Sequence, residues 1–203
     1  MSAKIPRIQD GRDMRERLDY RFLYDAVIAA RPRIAVELGV QFGHSAVLIA
    51  SALPDNGHLW AVDSWESWYN QMLPDAAIER ATKRIAESGY EPKITILRSR
   101  SVRAATEWRH GLIDFLHIDA EHSSINTFAD IIAWASHLNN NAVIVGHDWQ
   151  YPSVKEAVGL AMAEGIFKTF DTTDHQYDDR DMQARSNLPQ QWKAVFSGQK
   201  EGT

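Results

Sequence analysis

Carboxylate and imidazole side chains follow two apolar runs in the second half of the chain. Asp119 and His122 come after one run, and His147 and Asp148 come directly after the next. If the two runs are neighbouring parallel strands, their ends share one sheet edge and these four side chains lie close together.

Two functional interpretations of this group stay open beside a purely structural one, in which Asp119 caps a helix and the histidines are hydrogen-bonded. Asp119, His147 and Asp148 could bind Mg²⁺ or another hard divalent cation, since no cysteine competes as a ligand. Alternatively, His122 or His147 could act as a general base without a metal, because an imidazole titrates near neutral pH.

A glycine-containing loop follows an earlier apolar run. Gly39 and Gly43 flank it, and glycine permits both a sharp turn and a close approach of a ligand to the backbone. Gln41 stands where the dinucleotide fingerprint G-x-G-x-x-G requires its second glycine, and the phosphate-binding G-x-x-x-x-G-K-[ST] is absent. The loop therefore predicts a nucleoside ligand that has no diphosphate.

Asp63 ends the apolar run that comes next in the chain. A carboxylate at this position can accept hydrogen bonds from the hydroxyls of a ribose. An ordinary solvent-facing loop aspartate is the alternative, and the position behind a glycine loop favours the ribose interpretation.

Helical and strand patterns alternate along the whole chain. The strand patterns are nearly continuous apolar runs, which is typical of a mostly parallel sheet with helices on both faces. We predict helices over 13–30, 44–53, 75–88, 101–108, 125–138 and 153–165, and strands over 33–40, 58–65, 93–99, 113–120, 141–149, 166–172 and 192–197. The polar stretch 171–191 is rich in aspartate and predicts a solvated loop, with a lid as the alternative (Asp171, Asp174, Asp178, Asp179 and Asp181).

Composition limits the remaining classes of function. The 203 residues suit a single domain, with residues 1–32 as a helical extension and 33–203 as the core. A net charge of −5 argues against a broad nucleic-acid interface, and no apolar run is long enough to span a membrane. We expect a soluble, cytoplasmic protein. The helix at 13–30 could cover the sheet or pair two subunits, so a homo-oligomer stays open.

Five motifs in this order resemble class I S-adenosylmethionine-dependent methyltransferases: VELGVQFGHS, AVDSW, ITILRSRS, IDFLHIDAEHS and AVIVGHDW. They are most similar to the subgroup with D-G-D-H-S-Y-like and H-D-like motifs, over about residues 33–149. The resemblance implies a Rossmann-like, seven-stranded, mostly parallel sheet whose last strand is antiparallel. It also implies S-adenosylmethionine as cofactor, and in some relatives a divalent cation that orients an acceptor hydroxyl.

The same resemblance assigns candidate cofactor-binding residues. Glu37, Gly39, Gly43 and Ser45 would line the amino-acid end of the cofactor, and Asp63 would hold the ribose. Ser64, Trp65 and Ser101 would border the adenine, and Asp119 would help to position the cofactor. We expect His117 to be a core histidine, and we expect a group of aromatic side chains to form a wall of the acceptor pocket: Trp65, Trp68, Tyr69, Trp149 and Tyr151.

Departures from the family pattern lie on the acceptor side. Ala120, Glu121 and Ser124 replace the usual glycine, aspartate and tyrosine, and residues 139–141 are asparagines where a Pro-Gly-Gly turn is common. The expected reaction is O-methylation of a small molecule, with N-methylation second. A non-catalytic relative that binds a nucleoside or a partner protein is one alternative. A nicotinamide-dependent oxidoreductase is another, and the glycine spacing argues against it.

Overall fold

A seven-stranded sheet forms the centre of the computed structural model, which describes residues 13, 15, 18–66, 74–172 and 190–198. The strands are β1 Ile34–Leu38, β2 His58–Asp63, β3 Ile94–Arg98, β4 Ile113–Ile118, β5 Leu138–Gly146, β6 Phe167–Thr172 and β7 Trp192–Phe196. Their spatial order is β3-β2-β1-β4-β5-β7-β6, and β7 runs antiparallel to both of its neighbours. The predicted fold, including the antiparallel last strand, is confirmed.

In the part of the chain that the structure describes, six α-helices pack against this sheet. They are α1 Leu18–Ala30, α2 His44–Ala52, α3 Pro74–Ser88, α4 Ser101–Glu107, α5 Ser124–Ala135 and α6 Pro152–Ala163. One hydrophobic cluster joins α1, α2 and α3 to one face of the sheet, and a second joins α4, α5 and α6 to the other. The described part of α1 contributes Leu23 and Val27, both fully buried, to the first cluster. It therefore covers a sheet face beside α2.

Alternation of side chains along the strands explains the two clusters. In β1, Ala35 belongs to the first cluster, and Val36 and Leu38 belong to the second. Successive side chains of a strand point to opposite faces, so a run buried on both faces must be apolar at nearly every position. Glu37 is the exception in β1, and it is fully buried.

The strand order creates the cleft in which a ligand can bind. β1 pairs with β2 on one side and with β4 on the other, so the chain crosses over at β1. The loops after β1 and β4 leave the same sheet edge on either side of this switch point, where open α/β sheets bind their ligands.

The asparagines at 139–141 differ from their predicted role. They lie inside β5 rather than in a turn before it, and the pairing of β4 with β5 shifts register there, between Ile113 and Phe115. Asn141 has φ of 65°, a left-handed conformation that asparagine tolerates better than most residues. The irregularity expected at this place is therefore a bulge in the strand.

Some predictions concern residues that lie outside those the structure describes. They concern the start of the N-terminal helix, Trp68, Tyr69 and most of the polar stretch 171–191. Among the described residues, no helix is both long enough and apolar enough to cross a membrane.

Candidate active site

Two cavities meet above the carboxyl ends of the strands. The first, which we call the histidine cavity, has a volume of about 260 Å³ and is lined by His117, His122 and His147 among others. The second, the serine cavity, has a volume of about 640 Å³ and is lined by Ser64, Ser99 and Ser101 among others. Gly39, Ala120 and His122 line both cavities, which therefore form one cleft.

Gly39 sits where the two cavities join. Its φ of +90° is accessible mainly to glycine, and an added Cβ would lie 2.0 Å from the carbonyl oxygen of Asp119. Its N–H donates to Val62 O at 2.9 Å, and the N–H of Asp119 donates to Leu38 O at 2.8 Å. The first loop and the end of β4 are thus in direct backbone contact, and a side chain at position 39 would separate them.

Asp63 organises the loop that follows β1. It is 7 % exposed. Its Oδ2 accepts hydrogen bonds from the backbone N–H groups of Val40 and Gln41 at 2.9 Å, and Oδ1 accepts from Trp65 N at 2.7 Å. A solvent-facing loop aspartate would be exposed, so that alternative does not describe this side chain. Asp63 also lines the serine cavity. Because a carboxylate can accept about four hydrogen bonds, one acceptor position stays available to a ligand.

Trp65 does not face the cleft. It has φ of 50°, is fully buried in the first hydrophobic cluster and donates its indole N–H to Gln41 O at 2.9 Å. The left-handed backbone turns the indole back under the glycine loop, where it supports that loop from the core side. Ser64 and Ser101 are brought together in the serine cavity, and Trp65 is not.

Glu37 and His117 form a buried pair beneath the histidine cavity. They are directly opposite each other in the β1–β4 register, and Nδ1 of His117 lies 3.1 Å from Oε1 of Glu37. Burial raises the pKa of Glu37, while the hydrogen bond from His117 opposes this rise. Within the described part of the chain, Glu37 Oε2 and His117 Nε2 have no hydrogen-bond partner. His117 also lines the cavity, so it is more than the core histidine expected from the sequence.

A carboxylate–imidazole cluster closes the other side of the histidine cavity. Nε2 of His122 lies 2.6 Å from Oδ2 of Asp148. Nδ1 of His147 lies 3.0 Å from the same oxygen and 3.3 Å from Oδ1 of Asp119. The ends of β4 and β5 thus bring all four predicted side chains together.

Electrostatics of the cluster follow from these contacts. Burial opposes ionisation of Asp148, but hydrogen bonds from His122 and His147 outweigh it and lower the pKa of this carboxyl. The hydrogen bond to Asp148 raises the pKa of His122, although partial burial acts against that rise. Asp148 has φ of 59°, a left-handed conformation that is strained for a side-chain-bearing residue. This backbone conformation, at the end of a strand, directs the carboxylate of Asp148 toward His122 and His147.

The cluster has the composition of a cation site. Asp119, His122 and Asp148 can each offer one ligand atom, and these atoms lie within 4.8 Å of one another. Within the residues that the structure describes, the histidine of this set is His122. The sequence predicted His147 as the histidine ligand and His122 only as a candidate base.

Comparison with a model of known sequences shows the family. A family model described as a methyltransferase domain matches residues 36–149, more than half of the chain. The chain belongs to the methyltransferase domain family. With the confirmed Rossmann-like sheet, it is a class I S-adenosylmethionine-dependent methyltransferase, as the motifs predicted.

Solved structures of other methyltransferases share the fold. A Klebsiella pneumoniae protein to which O-methyltransferase activity is attributed is 14% identical over 88% of this chain and 80% of its own, with a TM-score of 0.68. The O-methyltransferase TomG of Streptomyces achromogenes, solved with S-adenosylmethionine, is 18% identical over 88% and 79%, with a TM-score of 0.63. A Bacillus cereus O-methyltransferase, solved with S-adenosylhomocysteine, is 17% identical over 87% and 80%, with a TM-score of 0.62. No curated protein matches the chain.

Several residues of the methyltransferase cleft were missed from the sequence. Tyr20 and Leu23 of α1 and Gln191 before β7 line the histidine cavity, although they lie far from the glycine loop in the chain. Gln150 holds the cluster in place, because its amide donates to Asp148 Oδ1 at 2.8 Å and its carbonyl accepts from Gln190 N at 2.9 Å. The amphipathic pattern of α1 indicated burial, but no sequence signal indicated a role at the site.

The aromatic wall expected from the sequence is only partly present among the described residues. Tyr151 stacks on His122 with ring centroids 5.3 Å apart, and it is 44 % exposed. Trp149 packs against Phe170 and the second hydrophobic cluster instead. Tyr151 therefore borders the cluster through His122, while Trp65 belongs to the core and the partly buried Trp149 packs against it.

Proposed function

We propose that this methyltransferase transfers a methyl group from S-adenosylmethionine to a hydroxyl oxygen of a small molecule. The single observation that carries the proposal is the cleft, in which a polar serine cavity and a cavity with a carboxylate–imidazole cluster share Gly39. The two volumes together fall within the range of about 300–1,000 Å³ that small-molecule sites occupy. The O-methyltransferases of similar fold, solved with S-adenosylmethionine or S-adenosylhomocysteine, support the same assignment.

The cofactor would lie across the junction of the two cavities. The serine cavity takes the adenosyl group, with the open acceptor position of Asp63 directed to a ribose hydroxyl and Ser64 and Ser101 beside the base. The amino-acid end passes Gly39 into the histidine cavity. Ser45 and His117 line that cavity, with Glu37 directly behind His117. The unpartnered Nε2 of His117, which lines the cavity, is suited to bind the charged amino-acid group, and Glu37 supports it from behind.

The acceptor would enter the histidine cavity from the side of the cluster. Methyl transfer requires the acceptor oxygen, the methyl carbon and the sulfur in line, and an acceptor hydroxyl must lose its proton. In a mechanism without a cation, His147, which lies within 3.3 Å of both Asp119 and Asp148, is the proposed general base, because the two carboxylates stabilise the imidazolium that forms.

Asp119, His122 and Asp148 fit a divalent cation. Two carboxylate oxygens and one imidazole nitrogen within 4.8 Å of one another can share one ion, since metal–ligand distances are about 2.0–2.2 Å. When bound, the cation would lower the pKa of an acceptor hydroxyl. The donor set suits Mg²⁺ or Mn²⁺, with the histidine favouring the latter.

Calorimetric titration with S-adenosylhomocysteine tests the cofactor assignment. We expect one site per chain with micromolar or tighter affinity. No binding to the folded protein would overturn the proposal.

Direct titration with Mn²⁺, followed by electron paramagnetic resonance, tests the cation site. We expect Asp148→Asn to abolish binding and Asp55→Asn, an exposed control outside the cleft, to leave it unchanged. Equal Mn²⁺ binding by both variants would refute the proposed cation site. In that case, we expect methyl transfer to a panel of hydroxyl compounds to proceed in the presence of a chelator.

A further inference from the structure

A buried carboxyl group on α5 faces the serine cavity. Asp130 is 4 % exposed and lines this cavity, and burial raises its pKa to about 6. A carboxyl in such surroundings has given up its hydration without gaining enough hydrogen-bond donors in return.

Among the described residues, Ser101 is the one donor that reaches Asp130. The hydroxyl of Ser101 hydrogen-bonds to Asp130. The indole N–H of Trp134 donates to that same hydroxyl oxygen at 3.1 Å, so the single hydroxyl proton of Ser101 is directed to the carboxylate. Trp134 is fully buried, and the three side chains form a fixed group against the cavity wall. Within the described residues no second donor reaches Asp130, so the carboxylate keeps acceptor capacity for a ligand.

Within the described residues, each of the other carboxyl groups that line the serine cavity already has two or more donors or a charged partner. Asp63 accepts the three backbone hydrogen bonds that shape the glycine loop. Glu66 pairs with Arg100 at 2.7 Å.

Glu121, the last of these carboxyl groups, is committed to the start of α5. It accepts from the backbone N–H of Ser123 at 3.1 Å and from the side chains of Ser123 and Asn126. These hydrogen bonds lower its pKa, the opposite of the change at Asp130. Of the carboxyl groups that line the cavity in the described part of the chain, Asp130 is the one with neither a second donor nor a charged partner, since Ser101 alone reaches it.

We infer that the carboxylate of Asp130 accepts a hydrogen bond from the exocyclic amino group of the cofactor's adenine. The inference rests on the proposed binding of S-adenosylmethionine in this cleft. The six-position amino group is the hydrogen-bond donor on the exposed edge of adenine, whose ring nitrogens are acceptors. A base with an oxygen at that position would place an acceptor against the carboxylate and move its donor to the neighbouring ring nitrogen N1, out of line with Asp130, so Asp130 makes the site selective for adenine.

Binding of two nucleosides, measured by calorimetry, tests this selectivity. S-Adenosylhomocysteine carries the amino group, and S-inosylhomocysteine carries an oxygen in its place. We expect the native protein to bind the adenosyl compound roughly tenfold or more tightly. Asp130→Asn should narrow that ratio several-fold, because an amide can donate to the oxygen as well as accept from the amino group. Asp55→Asn, which lies outside the cleft, should keep the native ratio.

Each failure has a separate meaning. Equal affinities in the native protein, or an unchanged ratio in Asp130→Asn, would overturn the role of Asp130 while the proposed function stands. No binding of S-adenosylhomocysteine to the folded native protein would overturn both. If Asp130→Asn does not fold, carbon-13 titration of the Asp130 carboxyl in the native protein decides. S-Adenosylhomocysteine should lower its pKa and S-inosylhomocysteine should not, and an equal effect of the two would refute the contact.

Discussion

Replacing Gly39 with alanine is expected to force the first loop away from the end of β4. The added Cβ would lie 2.0 Å from the carbonyl oxygen of Asp119 and 2.8 Å from Cα of Ala120. Both are backbone atoms, which cannot swing aside as the end of a side chain can. The backbone must move by more than 1 Å to reach an ordinary contact distance of about 3.5 Å.

The cost has two parts. A side chain at φ of +90° is strained by about 1–2 kcal/mol, and overpacking against backbone adds about 1–3 kcal/mol. We therefore expect Gly39→Ala to lower the free energy of unfolding by about 3 kcal/mol. Gly165 is the matched control, because its φ is +71° and nothing lies within 4 Å of an added Cβ. Gly165→Ala carries only the conformational part, about 1–2 kcal/mol.

Urea denaturation of the two variants measures this difference. With a slope of about 2–3 kcal/mol/M, Gly39→Ala should move the unfolding midpoint down by about 1 M and Gly165→Ala by about half that or less. Only Gly39→Ala should also weaken binding of S-adenosylhomocysteine, because only that loop borders the cleft. Equal shifts for the two variants would refute the steric argument, and native affinity in Gly39→Ala would show that the loop does not position the ligand.

Three further outcomes follow from the same structure. Asp63→Asn should lower the free energy of unfolding, measured in urea, by about 1–3 kcal/mol and weaken S-adenosylhomocysteine binding, because an amide cannot accept all the loop N–H bonds. A variant with native stability and reduced affinity would show that Asp63 binds the ligand without stabilising the loop. Gly159→Ala should raise the thermal midpoint, with a gain of about 0.5–1 kcal/mol, because this exposed α6 position has open space around it; a lower midpoint would contradict the packing. Since folding raises the pKa of Asp130 from 3.8 to about 6, its proton is held more tightly in the folded state, and stability is lost as pH rises from about 4 to about 6. The unfolding free energy should therefore fall by about 2–3 kcal/mol less between pH 4 and pH 7 in Asp130→Asn than in the native protein, as urea titrations at the two pH values would show. An identical fall in both proteins would show that Asp130 does not have a raised pKa.

Much of the fold could be predicted from local patterns. Apolar runs of strand length alternate with helical patterns, and this alternation favours parallel strands joined by helices. Element ends within the described residues were placed within a few residues, and one of the larger offsets is at β5, which begins at Leu138 rather than at residue 141. That start depends on pairing with β4 across a bulge, a non-local contact that the local pattern does not contain.

The sequence by itself determined which chemical groups form the site and at which edge of the sheet they lie. A glycine loop after β1, an aspartate after β2 and acid–histidine pairs after β4 and β5 all follow strand ends, and strand ends can be read locally. Tertiary structure alone decided which of these groups meet and what each carboxylate does. The β1–β4 register pairs Glu37 with His117, and the packing of α5 against α4 puts Asp130 beside Ser101. Hydrogen bonds and burial depend on neighbours that are distant in the chain, so the role of a charged side chain is fixed only when the fold brings those neighbours to it.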